Sequence, residues 1–427
     1  MNIMLNKENQ RELAYIVKID AIEPIEGSDN CEAAVVGGWR IMVRKETFKV
    51  GDYAVYFEID SKVPETKEYE FLAKKHYKIK TQKYTFGGKG NFISQGLLMH
   101  FNDFQKDGGI PSWLANFNTQ CAMAAAAGGE IDLPYFLTED LGVTYSVADD
   151  NKRKASTDKY TKMRARHQKL FRKNKLVQWL WNRNWGKKIL FFFLGTKKDK
   201  RGWPVGKFPG ISKTDQERIE NMTWVLEDKQ PFIKTLKIDG TSGTFILEKK
   251  PFKRYEYYVC SRNVRMENET QPNYHSDDEN VYWEVSHKYH IKEFLQKMIE
   301  DNHLDWIGIQ GEIAGISENG KGIQGNPHKL NTLRFFGFHL TDSKIGRYDQ
   351  ISAAQICKNN NIDWVPIIDT EYILPNSLEE FKKSADGPCN IENSSGLREG
   401  FVYYSKKQPD FSFKNVSNEY LLNHGQD

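Results

Sequence analysis

The chain has 427 residues, long enough for two or three domains with cores of their own. A hydrophobic content of 39% excludes a disordered chain, and the most apolar run, ILFFFL at Ile189 to Leu194, is far too short to span a bilayer. The net charge of +4 hides an asymmetry: residues 151–201 carry 18 Lys and Arg against 2 Asp and Glu, a local net of +16 that leaves −12 on the remainder.

Five cysteines are scattered with no C-x-x-C pair, which argues for a reducing compartment and against a structural zinc site. The first ten residues, MNIMLNKENQ, do not read as a signal peptide, and the expectation is a cytoplasmic protein without membrane contact. From residue 11 to about 100 the chain is β-rich. ELAYIVKIDAIEPI and WRIMVRKETF alternate apolar and polar residues, DYAVYFEID follows a Gly51-Asp52 turn, and ISQGLLMHF follows a Gly-rich loop. Several short strands closing within 90 to 100 residues suit a small barrel such as an OB-fold, with a β-sandwich as the alternative.

Next comes CAMAAAAGG, low in complexity and expected to be a loop or short helix. The basic block follows, expected to be helical from its straight-chain residues and few breakers. KTDQERIENM, at 213–222, is expected to form a short helix. Strand and turn patterns resume after Pro231, with helices expected near His290–Glu300, Tyr348–Asn360 and Ser377–Ala385. The domain expectation is an OB-like barrel over 10–110, a variable insert over 111–205 and a second domain over 206–427.

Within the second domain, KTLKIDGTSGTFIL (Lys234 to Leu247) is the segment with two opposed readings. Asp239-Gly240 between apolar runs is a two-residue hairpin signal, which would leave Lys237 a solvated strand residue. Alternatively, the Lys237 amine is a nucleophile, provided that something screens or removes its charge. Four more strings follow in order. They are Ser261-Arg262-Asn263, Gln310-Gly311-Glu312, Leu333 to Phe338 (LRFFGF), and Arg398-Glu399-Gly400-Phe401-Val402 leading to Phe411-Ser412-Phe413-Lys414.

This ordered set resembles the motifs of covalent nucleotidyltransferases. KIDGTS, SRN, GEIAG, GIQGNPHKL and REGFVYY resemble RNA ligases in particular. VRKETFKVGDYAVYFEIDSKVP, ISQGLLM and FPGISKTDQERIEN are similar to the type that carries its OB domain first, as in Deinococcus and Naegleria. DNA ligases and capping enzymes place that domain last. The resemblance covers residues 10–100 and 205–425. It implies an α+β protein: an N-terminal OB-like β-barrel, then a nucleotidyltransferase (ATP-grasp-like ligase) domain of antiparallel sheets flanked by helices.

The resemblance implies an enzyme that uses ATP and Mg²⁺, with Mn²⁺ as an alternative ion, to join RNA ends, and a nicked duplex as substrate for a monomeric enzyme. Lys237 becomes the lysyl-AMP, and Lys414 lies on the α-phosphate. Glu312 takes the ribose hydroxyls, Phe336 stacks on the adenine, and Arg262 contacts phosphate or the 3′-end nucleotide with Asn263 near it. Asp239 and Glu399 hold the metal, directly or through water. Related ligases often have two lysines in the last motif, whereas here the earlier position is Ser412. A GTP-using capping-type guanylyltransferase and an inactive RNA-binding module are the other readings. In the basic block, Trp179 and Trp181 among Lys and Arg suit RNA contact, or simple packing of an amphipathic helix. Lys74, Lys75, Lys78, Lys80, Lys83 and Lys89 form a second basic run. His287 and His290 lack a third metal ligand nearby and read as surface residues.

Overall fold

Strand β1 (Ala14–Lys18) carries a run without charge from Ala14 to Val17 because it buries both faces there, and only its last residue, Lys18, is half-exposed. Tyr15 and Val17 join Trp39, Ile41 and Tyr56 in one core, while Ala14 and Ile16 join Val55, Phe57 and Phe117 in another. A computed structural model describes residues 11–86, 91–105, 109–145, 206–212, 216–262, 264–266 and 280–424, with single positions between 177 and 190. In it β1 pairs antiparallel with β2 (Tyr53–Phe57), in a four-stranded sheet completed by Leu97–Met99 and Tyr135–Phe136. A three-stranded sheet and two short pairs make up the other walls of this β-rich unit.

Strand pairing with the N-terminal unit continues past residue 110. Tyr135–Phe136 pairs with β1, and Thr144–Tyr145 pairs with Ser61–Lys62. The low-complexity stretch lies in a full helix, α1 (Ser112–Ala126), whose Trp113, Leu114 and Phe117 fill the second core. Its alanines are strong helix formers, and the aromatic anchors that fix it lie upstream of them. Five described positions between 177 and 190 are helical; most of the basic block lies outside the described residues.

The C-terminal unit consists of two sheets with helices on their outer faces. The five-stranded sheet is built from β3 (Glu217–Arg218), β4 (Phe232–Lys237), β9 (Ile367–Tyr372), β10 (Gly400–Ser405) and β11 (Ser412–Val416), in the order β3-β11-β10-β4-β9. The six-stranded sheet has β5 (Thr241–Lys250), β6 (Arg254–Ser261), β7 (Trp306–Ala314) and β8 (Arg334–Asp342) at its centre, in the order β6-β5-β7-β8, with short strands at both edges. Pairing is antiparallel except between β3 and β11. Helices α2 (Val281–Lys288), α3 (Ile291–Asn302) and α4 (Gln350–Asn359) cover the larger sheet. Helix α5 (Leu378–Lys383) covers the smaller one through Phe381, and α6 (Asn418–His424) follows β11. The three helices expected after residue 290 are thus α3, α4 and α5. Over the described part of 213–222, residues 216–222, the expected helix gives way to a short strand and a 3₁₀ turn. Glu217 and Arg218 are drawn into strand pairing with Phe413 and Lys414, and single 3₁₀ turns follow, so tertiary pairing overrides local propensity.

The hairpin reading of Asp239-Gly240 also fails. β4 and β5 belong to different sheets, and the dipeptide carries the chain across the gap between them. Gly240 is required by close approach: a Cβ there would overlap the Ile313 carbonyl of β7. The two domains meet through a buried polar seam. Trp39 Nε1 donates to Asn221 Oδ1 at 2.5 Å, the Asn221 amide donates to Glu58 and, within its own domain, to Glu217 at 2.9 Å each, and Lys382, paired with Glu220 of the same domain, reaches Gln95 at 3.5 Å. Replacing Gly240 with Ala should lower stability by about 1–3 kcal/mol, because the obstructing atom is backbone. A thermal melt checks this, and an unchanged midpoint contradicts it.

Candidate active site

Strand register brings the site together. Lys237, the last residue of β4, lies opposite Gly400. Glu399 therefore enters beside it, and Lys237 Nζ donates to Glu399 Oε1 at 2.6 Å. Two residues on, Asp239 sits in the crossing between the sheets. Its N–H donates to His328 Nε2 at 2.8 Å, and its Oδ2 accepts from the Tyr420 hydroxyl at 2.6 Å. On the second sheet Ser242 is opposite Glu312, and Glu312 is opposite Phe336, so Glu312 and Phe336 share one face.

The smaller sheet supplies the cations. Thr235 and Lys414 both pair with Val402, which puts Lys414 on the face that bears Lys237. Ser412, opposite Tyr404, lies on that face too, so the position where relatives have a second lysine is a hydroxyl here. The neighbouring strand brings Arg218 directly opposite Lys414. Arg218 is buried, and its Nη2 contacts Asp60 of the N-terminal domain at 3.2 Å. Its Nε and Nη1 have no partner among the described residues.

The carboxylates set the charge states. Burial pulls Lys237 down, but Glu399, Asp239 and Glu312 outweigh it and hold its pKa above the usual lysine range. Burial, with Glu399, pushes Asp239 up to about 6 against the pull of Lys237. Glu312 is pushed up to about 8, by burial first, with Lys237 and Arg262 opposing and Asp239 and Glu399 adding. Burial brings His328 down to about 4, so it is neutral and able to accept the Asp239 N–H.

A divalent ion fits this chemistry at Glu399, whose Oε2 is buried with no partner among the described residues. No group of three or more metal-ligating side chains occurs among them. Asp239 and Glu399 would thus hold such an ion with few direct bonds, as suits Mg²⁺, which keeps water and phosphate oxygens in its shell.

The other expected residues are placed differently. Phe336 is buried in the core, with the Arg334 guanidinium 4.6 Å from its ring centre. Arg262 is exposed just past β6, near enough to Glu312 to affect its charge. Trp181 packs by Val177 and Leu190, with the Lys187 ammonium 5.4 Å from its ring. Asn263 and Trp179 lie outside the described residues. His287 and His290 are exposed. Sequence reasoning missed Arg218, Asp60, His328 and Tyr420. His328 is within reach of sequence reasoning, since it lies in the GIQGNPHKL string.

A lysine set among carboxylates between two sheets, next to a β-rich N-terminal unit, suits an enzyme of the two-domain ligase class. A family model described as an OB-fold domain matches residues 13–100, and one described as RNA ligase matches residues 230–416. Among solved structures the chain is similar to Naegleria gruberi RNA ligase. An apo variant of that protein is 26% identical, with a TM-score of 0.66, covering 97% of this chain and 99% of that one. A variant with AMP and Mn is also 26% identical, with a TM-score of 0.67 over 98% of this chain and 100% of that one, and the form with PPi gives 26% and 0.65 over the same shares. No curated protein matches the chain in sequence. The chain thus carries an OB-fold domain followed by an RNA ligase domain, and over nearly its whole length it is similar to Naegleria gruberi RNA ligase.

The raised pKa of Glu312 has a consequence for stability. The folded chain binds that proton more tightly than the unfolded chain, whose carboxylate value is 4.5, so this contribution to stability is lost as pH rises from about 4.5 to about 8. In the metal-free protein the melting temperature of Glu312→Gln relative to wild type should rise across that window. A constant difference contradicts it.

Proposed function

We propose that this chain is an ATP-dependent ligase that joins 5′-phosphate and 3′-hydroxyl RNA ends through a lysyl-AMP intermediate, sealing nicks in duplex RNA as a repair activity. The observation that carries this reading is the convergence of Lys237, Asp239, Glu312, Glu399 and Lys414 between the two sheets. Neighbours solved with ATP, AMP and Mn, at 25–26% identity, support the choice of nucleotide and a divalent ion.

In the first step Lys237 Nζ bonds to the α-phosphorus of ATP, and the bond to pyrophosphate breaks. Nζ must first lose a proton, and Glu399 at 2.6 Å is its immediate acceptor. Lys414, with Arg218 beside it, faces the charge that develops on the phosphate oxygens. Asp239 and Glu399 would hold a divalent ion, which would supply further positive charge at the phosphate. In the second step a 5′-phosphate oxygen takes the AMP from Lys237, and in the third a 3′-hydroxyl attacks that phosphate and AMP leaves. Glu312 would meet the ribose. Adenine at Phe336 would share the ring with Arg334 or displace it. Arg262 and Asn263, and Trp179 and Trp181 of the basic block, are the proposed RNA contacts. The enzyme is read as a cytoplasmic monomer. Free cysteines suit a reducing compartment, and no helix among the described residues is long and apolar enough to cross a membrane.

The test is incubation with labelled ATP or GTP, followed by a nicked duplex RNA. Wild type should take label from ATP and join the strands, while Lys237→Ala should do neither, a loss of at least about 10³-fold. Labelling from GTP alone would move the chain to capping chemistry, and no labelling from either would leave an RNA-binding protein.

A further inference from the structure

Helix α6 touches both sides of the machinery at adjacent residues. Tyr420 is 4% exposed, and its hydroxyl donates to Asp239 Oδ2 at 2.6 Å. Its ring lies nearly parallel to His328, with centroids 6.5 Å apart at 23°, and His328 in turn accepts the Asp239 N–H. The His424 ring lies tilted against the Tyr420 ring, with centroids 4.4 Å apart at 36°. The start of the helix is fastened as well. Ser417 N–H donates to the Glu399 carbonyl at 2.8 Å, and Ser417 Oγ accepts from the Tyr420 N–H at 3.0 Å and donates to Asp386 at 2.6 Å. The next residue, Leu421, leaves the site and packs on the barrel core formed by Tyr15, Trp39 and Tyr56.

From this juxtaposition we infer that Tyr420 is a positioning residue for Asp239, and that α6 ties the placement of this carboxylate to the docking of the N-terminal domain. The inference rests on the reading of Lys237, Asp239 and Glu399 as the adenylylating site. Asp239 lies in the crossing between two sheets, where no strand pairing fixes it. Its backbone is held by His328 and its carboxylate by Tyr420, and both holders come from distant parts of the chain. A helix with Leu421 in the barrel and Tyr420 on the carboxylate makes the orientation of Asp239 depend on the barrel being in place. A second barrel group, Asp60, lies close enough to Asp239 to oppose its ionisation.

The test uses the full chain as wild type, Tyr420→Phe and Leu421→Ala. Phenylalanine keeps the ring between His328 and His424 and removes only the hydroxyl. Two quantities are measured: single-turnover transfer of AMP to the protein across ATP concentrations, and amide deuterium uptake over residues 236–242 without nucleotide or metal. Tyr420→Phe should lower the rate at saturating ATP about tenfold or more, with the half-saturating ATP concentration unchanged within about twofold, as expected for losing a hydrogen bond to a charged group that orients rather than binds. Its uptake over 236–242 should rise, and Leu421→Ala should change both quantities in the same direction by smaller factors. A Tyr420→Phe protein that keeps its rate within about twofold, or loses rate with no change in uptake, overturns the proposal. If wild type takes no AMP at all, the reading of the site fails instead. The uptake data alone then decide: a rise in Tyr420→Phe supports the positioning role, and no rise overturns it.

Discussion

The ion pair between Lys237 and Glu399 is the interaction around which the C-terminal domain is arranged. It forms because β4 and β10 are paired in a register that sets Lys237 against Gly400. Gly400 is needed there, since a Cβ would overlap the backbone of β11. From Lys237 the chain leaves one sheet for the other through Ile238-Asp239-Gly240, and Gly240 lets it pass against β7. One short crossing thus places a lysine on the first sheet, an aspartate in the gap and a strand beside Glu312 on the second. Both sheets must be packed before these groups meet, so the site is a product of tertiary structure rather than of a local motif.

Two lysines on β4 show why geometry outranks basicity. Lys234, three residues before Lys237, is on the opposite face, with its ammonium 4.0 Å from the Phe401 ring centre and 4.3 Å from that of Tyr372. Burial, helped by Arg398, brings its pKa down to about 8. By ease of deprotonation alone Lys234 would be the better nucleophile. It has no carboxylates arranged for a metal and no Lys414 facing it, and aromatic side chains line its surroundings. Lys237 is harder to deprotonate in the protein alone, because three carboxylates hold its proton. Those same carboxylates suit a cation and a nucleotide, whose arrival would relieve that hold.

The parts of this architecture visible in the sequence were those carried by short motifs and by long periodic segments. K-I-D-G and E-G-F-V each mark a strand end at the site, the glutamate in WIGIQGEIAG lies near the end of its strand, and α3, α4 and α5 fall where helices are expected. The misplaced elements depended on partners far away in the chain. Nothing local in QERIEN indicates that Glu217 and Arg218 will pair with a strand some 200 residues on, and helix propensity was the wrong guide there. Asp239-Gly240 looks like a hairpin turn in isolation because the sequence does not show that its two flanking strands belong to different sheets. Tyr420 had no motif at all. Its role comes from a helix whose next residue packs on the first domain.

A single experiment can isolate the central claim, that of the two lysines on β4 the one facing the carboxylates takes the nucleotide. Wild-type protein incubated with ATP and Mg²⁺, digested under conditions that preserve the phosphoramidate bond and mapped by fragment-ion mass spectrometry, should carry AMP on Lys237 and leave Lys234 unmodified. AMP on Lys234, or on a lysine outside β4, would contradict the account.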